Sequence, residues 1–140
     1  MKLSRAFLSL LILIAYSQTV DAAVSAEQMR ALGTVATHAV EYSPKPDYPF
    51  DARAHHVTGA GIFIIIVHAN DGRVAAVHVA RTTGHTILDD AAVHAFSKWR
   101  FKPGALNSIA KAAPWRHYPI ANTLAKGDVP LKIPCDFTMR

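Results

Sequence analysis

The longest apolar run in the chain comes at its start. Residues 6–16 are almost all apolar and follow two cations, Lys2 and Arg5. The run is shorter than the ~20 residues that a helix needs to span a bilayer, and the small-residue pattern Val20-x-Ala22 follows it. Residues 1–22 are therefore interpreted as a cleavable secretory signal, with a short membrane anchor as the alternative.

The next segment, residues 23–45, combines a helical pattern with a linker. Residues 25–40 place apolar side chains at helical spacing behind a capping-box pattern, which predicts a modest helix. Residues 43–49 contain three prolines, which exclude a helix and favour an extended chain. We place the start of the folded domain here, at about residue 46.

A β-hairpin is the clearest local signal. Residues 62–69 are rich in β-branched side chains, a turn sequence Asn70-Asp71-Gly72 follows, and residues 73–82 are mostly valine and alanine. With Asp71-Gly72 at the tip, Ile66 faces Val77 and Ile64 faces Val79.

This register gives the hairpin a second apolar face, made of Phe63, Ile65 and Val67. That face is unusually apolar for an exposed sheet, so either the helix at residues 25–40 or a partner subunit should cover it. Dimerisation through the sheet is therefore one hypothesis.

A second helix is predicted after the hairpin. Thr86-x-x-Asp89 is a capping-box pattern, and Pro103-Gly104 ends the helix. Five residues share one face at three- and four-residue spacing: Leu88, Ala91, Ala92, Ala95 and Trp99. Of the aromatic residues near its end, Trp99 and Phe101 are expected to be core anchors.

Residues 115–123 predict a third strand, and Pro119 places it at a sheet edge because proline lacks a backbone donor. Residues 125–140 are interpreted as an irregular or strand-like tail, so the domain covers residues 46–124. The order helix, strand, strand, helix, strand predicts an α+β fold: a small antiparallel three-stranded sheet with helices packed on one face.

Composition and charge exclude several classes of protein and of partner. Hydrophobic residues make up 51% of the 140 residues and charged residues 18%, which excludes a disordered chain and fits one small domain. The formal net charge is +5, but the cations are scattered, and export argues against nucleic acid as a partner. The single cysteine, Cys135, excludes an internal disulfide.

The sequence does not favour metal or catalytic chemistry. None of the eight histidines stands three or four residues from another, and His68 and His78 fall on opposite faces of the predicted hairpin. No nucleophile motif is present, and Cys135 would need a nearby base. Asp89 and Asp90 fit capping charges at a helix start. We therefore expect no cofactor, no metal, no catalytic residues and no enzyme.

Several short motifs, taken in order, resemble the C-terminal domain of TonB-family proteins. They are Tyr48-Pro49, Gly61 at the start of the hydrophobic strand, Asp71-Gly72-Arg73-Val74, Leu88-Asp89-x-Ala91-Ala92 and Trp99-Arg100-Phe101-Lys102-Pro103. The resemblance implies a periplasmic domain that binds an extended segment of an outer-membrane transporter as an added β-strand.

The resemblance also implies a binding site and an alternative. The edge at residues 116–123 and the extended segment beside it would provide the peptide-binding residues Pro46, Asp47, Tyr48, Pro49, Arg116, His117, Tyr118, Ile120 and Asn122. The apolar start lacks histidine, and residues 23–45 are a short spacer for a transducer that crosses the periplasm. The alternative is therefore a periplasmic assembly or structural module that acts through a homodimer or a secretion-complex contact.

Overall fold

The computed structural model describes residues 34–112 and 120–139 of the chain. The strands are β1 (Val40–Tyr42), β2 (Gly59–His68), β3 (Val74–Arg81), β4 (Arg100–Phe101) and β5 (Asp128–Phe137). Besides the helical residues 34–39, the helices are α1 (Phe50–Ala54), α2 (Thr86–Ser97) and α3 (Asn107–Ala112), with a 3-10 turn at Ala121–Thr123. The predicted signal segment, residues 1–22, lies outside the described residues.

Two small antiparallel sheets make up the β-structure of the described ranges. The larger has the strand order β3-β2-β5, and the smaller pairs β1 with β4. A single bridge between Arg73 and Arg100 connects them at the start of β3. Because α2 packs on β3 and β2, the predicted α+β architecture is confirmed.

The core lies between the central strand and α2. Phe63, Ile65 and Val67 project from β2 and are fully buried. They belong to one hydrophobic cluster with Leu88 and Phe96 of α2, and the rings of Phe63 and Phe96 meet edge-on with centroids 5.4 Å apart. A three-residue face of this kind, removed from water by a helix, is the main source of stability in a small domain.

The predicted hairpin is present, but its register was wrong by one residue. Ile65 pairs with Val77, and Ile66 pairs with Ala76. The turn explains the difference: the Gly72 amide donates to the His68 carbonyl, and a bulge follows at Val67, so the loop is longer than the predicted two-residue tip.

The one-residue slip places Val77 and Val79 on the same face as their partners Ile65 and Phe63. Phe63, Ile65 and Val67 were predicted to be outside, but they form the inner face that α2 covers. The other face carries Ile64, and His78 pairs directly with it. His68 and His78 therefore share a face, contrary to the prediction, although four residues of strand, about 13 Å, separate their levels.

The second helix begins at the predicted residue but ends sooner. The helix α2 stops at Ser97, and Arg100–Phe101 forms strand β4, whose Phe101 amide donates to the Gly72 carbonyl. The predicted capping box is absent: His85 is the N-cap and makes no side-chain cap bond. Phe101 is buried as predicted, while Trp99 is half-buried against the same cluster.

The third strand was predicted in the wrong place. Ile120 lies in a turn and residues 121–123 form the 3-10 turn, while residues 113–119 lie outside the described residues. The strand that pairs with β2 is β5, inside the segment that was set apart as a tail. Its alternation of Val129, Leu131, Ile133 and Phe137 with polar or proline residues is a strand signal that the earlier segment lacks.

The predicted helix before the domain is described only in part. Residues 34–39 are helical, and residues 25–33 lie outside the described residues. Ala39 is buried in the core, and its carbonyl accepts the Lys102 amide at 2.8 Å. The end of this helix therefore packs on the domain, and β1 continues directly from it.

Candidate peptide-binding surface

The three-stranded sheet has two outer strands, β3 and β5. In the part of the chain that the structure describes, no strand pairs with the outer side of either one beyond the Arg73 bridge. An outer strand presents backbone N–H and C=O groups that an extended peptide can pair with. These two edges are therefore the first candidates for a peptide-binding surface.

Backbone hydrogen bonds at one end of β2 show which groups face outward. The Ala69 amide donates to the Gly127 carbonyl, toward β5, and the His68 amide donates to the Arg73 carbonyl, toward β3. Antiparallel pairs alternate between hydrogen-bonded and non-hydrogen-bonded, so odd residues of β2 bond to β5 and even residues to β3.

The same alternation fixes the direction of groups on the outer strands. Val77 and Val79 pair with the odd residues Ile65 and Phe63, so their own N–H and C=O groups point away from β2. On β5, residues 128, 130, 132, 134 and 136 pair with even residues of β2, so their backbone groups also point outward.

A hydrogen bond between the side chains of His68 and Asp128 fixes the start of β5. Asp128 is buried, and its Oδ1 lies 2.5 Å from Nδ1 of His68, whose side chain is half exposed. The other carboxylate oxygen accepts the Ala125 amide at 2.9 Å. These contacts hold the two strands in register at this end.

The extended segment at residues 43–49 lies against the domain at two points. The Trp99 indole N–H donates to the Pro44 carbonyl at 3.0 Å. The Tyr48 hydroxyl donates to the Val57 carbonyl at 2.5 Å, and its ring lies 5.9 Å from that of Phe137 at the end of β5. Tyr48 is therefore a structural anchor of the segment.

A groove of about 490 Å³ separates this segment from α2. Tyr42, Asp47 and Pro49 line one wall, and Ile87 and Ala91 of α2 lie on the other side. Just outside this lining, Phe50 is 77% exposed. Exposed aromatic side chains beside a groove are typical of protein contact surfaces, so this region is a second candidate.

The structure places the predicted peptide-binding residues in different surroundings. Asp47 and Pro49 line the groove, and Pro46 is in the same extended segment. Ile120 and Asn122 are in the turn and the 3-10 turn, where the Ile120 carbonyl accepts the Thr123 amide at 2.9 Å. Arg116, His117 and Tyr118 lie outside the described residues.

Sequence reasoning did not identify β3 as an edge, and it left the strand-like tail at residues 125–140 outside the sheet that β5 joins. Each β5 residue from Asp128 to Phe137 pairs with β2. The signal that could have found this edge was the alternation of apolar residues after Asp128, with Pro130 and Pro134 at positions of the same parity. Proline within a strand is typical of an edge.

The described side chains offer little reactive chemistry. Burial raises the pKa of the Cys135 thiol, and the neighbouring Asp136 raises it further, so the thiol stays protonated at neutral pH. Among residues 34–112 and 120–139, no group of three or more His, Cys, Asp or Glu residues is placed to hold a metal ion.

None of the helices within the described ranges is long and apolar enough to cross a membrane. Among the curated proteins, none matches the chain. One similar solved structure is the solution NMR structure of the Pseudomonas aeruginosa TonB CTD. It is 18% identical, with a TM-score of 0.49, and the match covers 71% of this chain and 84% of that chain.

The model of the Gram-negative bacterial TonB protein C-terminal family matches residues 44–121, which is more than half of the chain. The matched range includes the extended segment, the β2–β3 hairpin, α2 and β4. The chain therefore belongs to the TonB C-terminal domain family.

Proposed function

We propose that this protein is a periplasmic domain that binds an extended peptide segment of an outer-membrane transporter, or of another envelope protein, by β-strand addition. In this role it supports TonB-dependent transport and catalyses no reaction. The observation that carries the proposal is the three-stranded sheet with two unpaired outer strands within the described ranges. Family membership points to the class of partner.

Strand addition suits an exported domain of this size. The main-chain groups of an outer strand provide affinity with little demand on the sequence of the partner. The fully buried side chains of β2, with Val129 of β5, anchor the sheet on which the outer strands pair. A rigid edge binds more tightly because less conformational entropy is lost when the peptide docks.

The extended segment at residues 46–49 serves as a second contact in this proposal. Asp47 and Pro49 line the groove against α2, and the exposed Phe50 follows them. A partner that reaches from a sheet edge to this groove would gain an apolar contact. We assign Pro46, Asp47 and Pro49 to this contact and Tyr48 to holding the segment in place.

A dimerising assembly module is the alternative, because an unpaired outer strand can also pair with a second copy of itself. In that case the chain would form a stable dimer or join a secretion complex and would take no part in transport. Sedimentation equilibrium separates the two: the proposal expects a monomer at micromolar concentration in the absence of peptide.

Fluorescence anisotropy tests peptide binding directly. The probes are labelled synthetic peptides of about ten residues from the periplasmic N-termini of the host's outer-membrane transporters, titrated with the full chain. We expect at least one peptide to bind in the micromolar range. The matched control is the same peptide with alternate backbone amides N-methylated, which removes the strand-forming donors and should weaken binding at least tenfold.

Two results would reject the proposal. If no peptide in the panel binds at concentrations up to the millimolar range, the domain has a different partner class. If the N-methylated peptide binds as tightly as the unmodified one, the contact is made by side chains and strand addition is excluded.

A further inference from the structure

The two outer strands differ in how many backbone donors they present. On β5, the outward-facing positions are residues 128, 130, 132, 134 and 136. Residues 130 and 134 are prolines and have no N–H, and the Asp128 amide already donates to the Ala125 carbonyl. Within β5, only Lys132 and Asp136 keep an outward N–H for an incoming strand.

Proline at these positions also obstructs an added strand sterically. The ring carbons of Pro130 and Pro134 occupy the place where a donor hydrogen would point toward the neighbouring strand. For this reason, proline within a sheet is confined to edges with its nitrogen toward solvent. The edge of β5 is therefore protected against further pairing.

The edge of β3 has no such protection. Its sequence between Val74 and Arg81 contains no proline and no lysine. Register shifts at both ends leave residues 76–79 in one regular ladder with β2. In that stretch Val77 and Val79 each direct one N–H and one C=O outward, which gives an extended peptide two donors and two acceptors.

We infer that the peptide of the proposed function adds to β3, at Val77 and Val79, and not to β5. This inference rests on the proposed function and specifies its site. The partner is an extended segment without proline at the positions that bond to Val77 and Val79. It includes an apolar residue that packs beside Val79, whose side chain is 45% exposed.

The two edges can be tested with matched proline variants. Val79→Pro removes an outward donor from β3, and Lys132→Pro removes one from β5. Neither variant breaks a hydrogen bond to β2, because the N–H groups of Val79 and Lys132 both point away from β2. Pro130 and Pro134 already occupy equivalent outward-facing positions on β5. Lys132→Gln controls for the lost charge of the lysine. Val79→Thr keeps the amide and changes the side chain, so it separates the loss of the backbone donor from the loss of the valine side chain.

Binding of the peptide that is tightest for the full-length wild-type chain is then measured by fluorescence anisotropy. We expect Val79→Pro to weaken binding at least tenfold and Val79→Thr to weaken it clearly less, because threonine keeps the backbone donor. Lys132→Pro and Lys132→Gln should stay within threefold. Circular dichroism melting confirms that each variant is folded. If Val79→Pro does not fold, Val77→Pro provides the second test of the same edge.

The outcomes distinguish the inference from the proposed function. Loss of binding in Lys132→Pro, with Val79→Pro unaffected, would overturn the β3 assignment but leave strand addition intact. Unchanged binding in both Val79→Pro and Lys132→Pro would also overturn the β3 assignment. A wild-type dimer that Val79→Pro dissociates would show that a second copy occupies this edge, which also overturns the inference. Absence of any peptide binding to the wild type would reject the proposed function itself.

Discussion

At the scale of single residues, Asp89 connects the first turn of α2 to the end of β3. Its carboxylate accepts hydrogen bonds from the Thr82 hydroxyl, from the Thr83 amide at 2.8 Å and from the Thr83 hydroxyl at 2.7 Å. Partial burial raises the pKa of Asp89. The bonds from Thr82 and Thr83, with His85 nearby, outweigh burial and hold the pKa below its usual range.

This geometry predicts a pH-dependent contribution to stability. Because the folded pKa of Asp89 is below its ordinary value of 3.8, ionised Asp89 stabilises the fold fully above that pH. The contribution is lost as the pH falls through the lower folded pKa. We expect Asp89→Asn to reduce the free energy of unfolding by about 1–3 kcal/mol at pH 7.

Urea unfolding of the wild type and of Asp89→Asn at several pH values measures this effect. The difference between them should shrink as the pH falls from 5 toward 2.5. Asp90→Asn is the matched control, because the neighbouring residue is exposed and should leave the unfolding free energy nearly unchanged at each pH. A difference for Asp89→Asn that does not vary with pH would contradict the account.

Gly72 makes the second residue-scale prediction. Its φ is +71°, and a Cβ atom there would lie 1.9 Å from the Phe101 carbonyl oxygen. Gly84 has a φ of +91° but open space around it. We therefore expect Gly72→Ala to cost more than about 2 kcal/mol in unfolding free energy, and Gly84→Ala about 1 kcal/mol.

Thermal and urea unfolding of the two alanine variants check the comparison. Both substitutions impose backbone strain, so only the contact with β4 distinguishes them. Equal losses of stability in the two variants would show that the close approach of Gly72 to Phe101 does not matter for the fold.

At the scale of the elements, the hairpin and the helix α2 were predictable because their signals are local. The β-branched run of β2 and the Asp71-Gly72 turn indicated two strands. The register of the hairpin was not predictable, because the bulge at Val67 depends on how the turn fits against β4. A bulge shifts the pairing by one residue, so Val77 and Val79 lie on the face of β2 opposite to the predicted one.

The third strand shows a different limit. The segment at residues 115–123 and β5 both contain proline and apolar residues, so both are compatible with an edge strand. The alternation of apolar residues favours β5, and tertiary contacts fix it there, chiefly the pairing of Val129 with Val67 and the contact of His68 with Asp128. Peptide-binding residues assigned by resemblance to residues 120–123 were therefore placed on a strand that those residues do not form.

The prolines of β5 give an element-scale prediction. Replacing both by threonine, Pro130→Thr with Pro134→Thr, adds two outward N–H donors to an open edge. We expect the double variant to self-associate more strongly than the wild type, because an unprotected edge strand pairs with other edges. Sedimentation velocity measures this self-association. The protein is used at roughly 10–100 μM, where weak pairing between edges becomes visible.

Pro103→Thr, in the turn after β4, is the control and should leave the sedimentation coefficient unchanged. A double variant that stays as monomeric as the wild type would mean that the two prolines are not what protects the β5 edge.

At the scale of the whole molecule, the small domain carries three separate surfaces. They are the β3 edge, which has no proline, the β5 edge, which its prolines protect, and the exposed groove. The α+β architecture and the family were accessible from the sequence, because several motifs occurred together in the right order. The distribution of outward-facing backbone groups was not accessible from the sequence. It follows from the sheet order and the pairing register, which depend on contacts between distant segments.

The proposed function requires that an extended peptide binds the domain as an added strand. Amide hydrogen exchange of the full chain, followed residue by residue by NMR with and without a bound transporter peptide, tests it most directly. We expect fast exchange at Val77 and Val79 in the free protein and at least tenfold slower exchange with peptide, while exchange at Lys132 and Asp136 stays unchanged. Peptide binding that leaves the outward amides of both β3 and β5 unprotected would contradict strand addition.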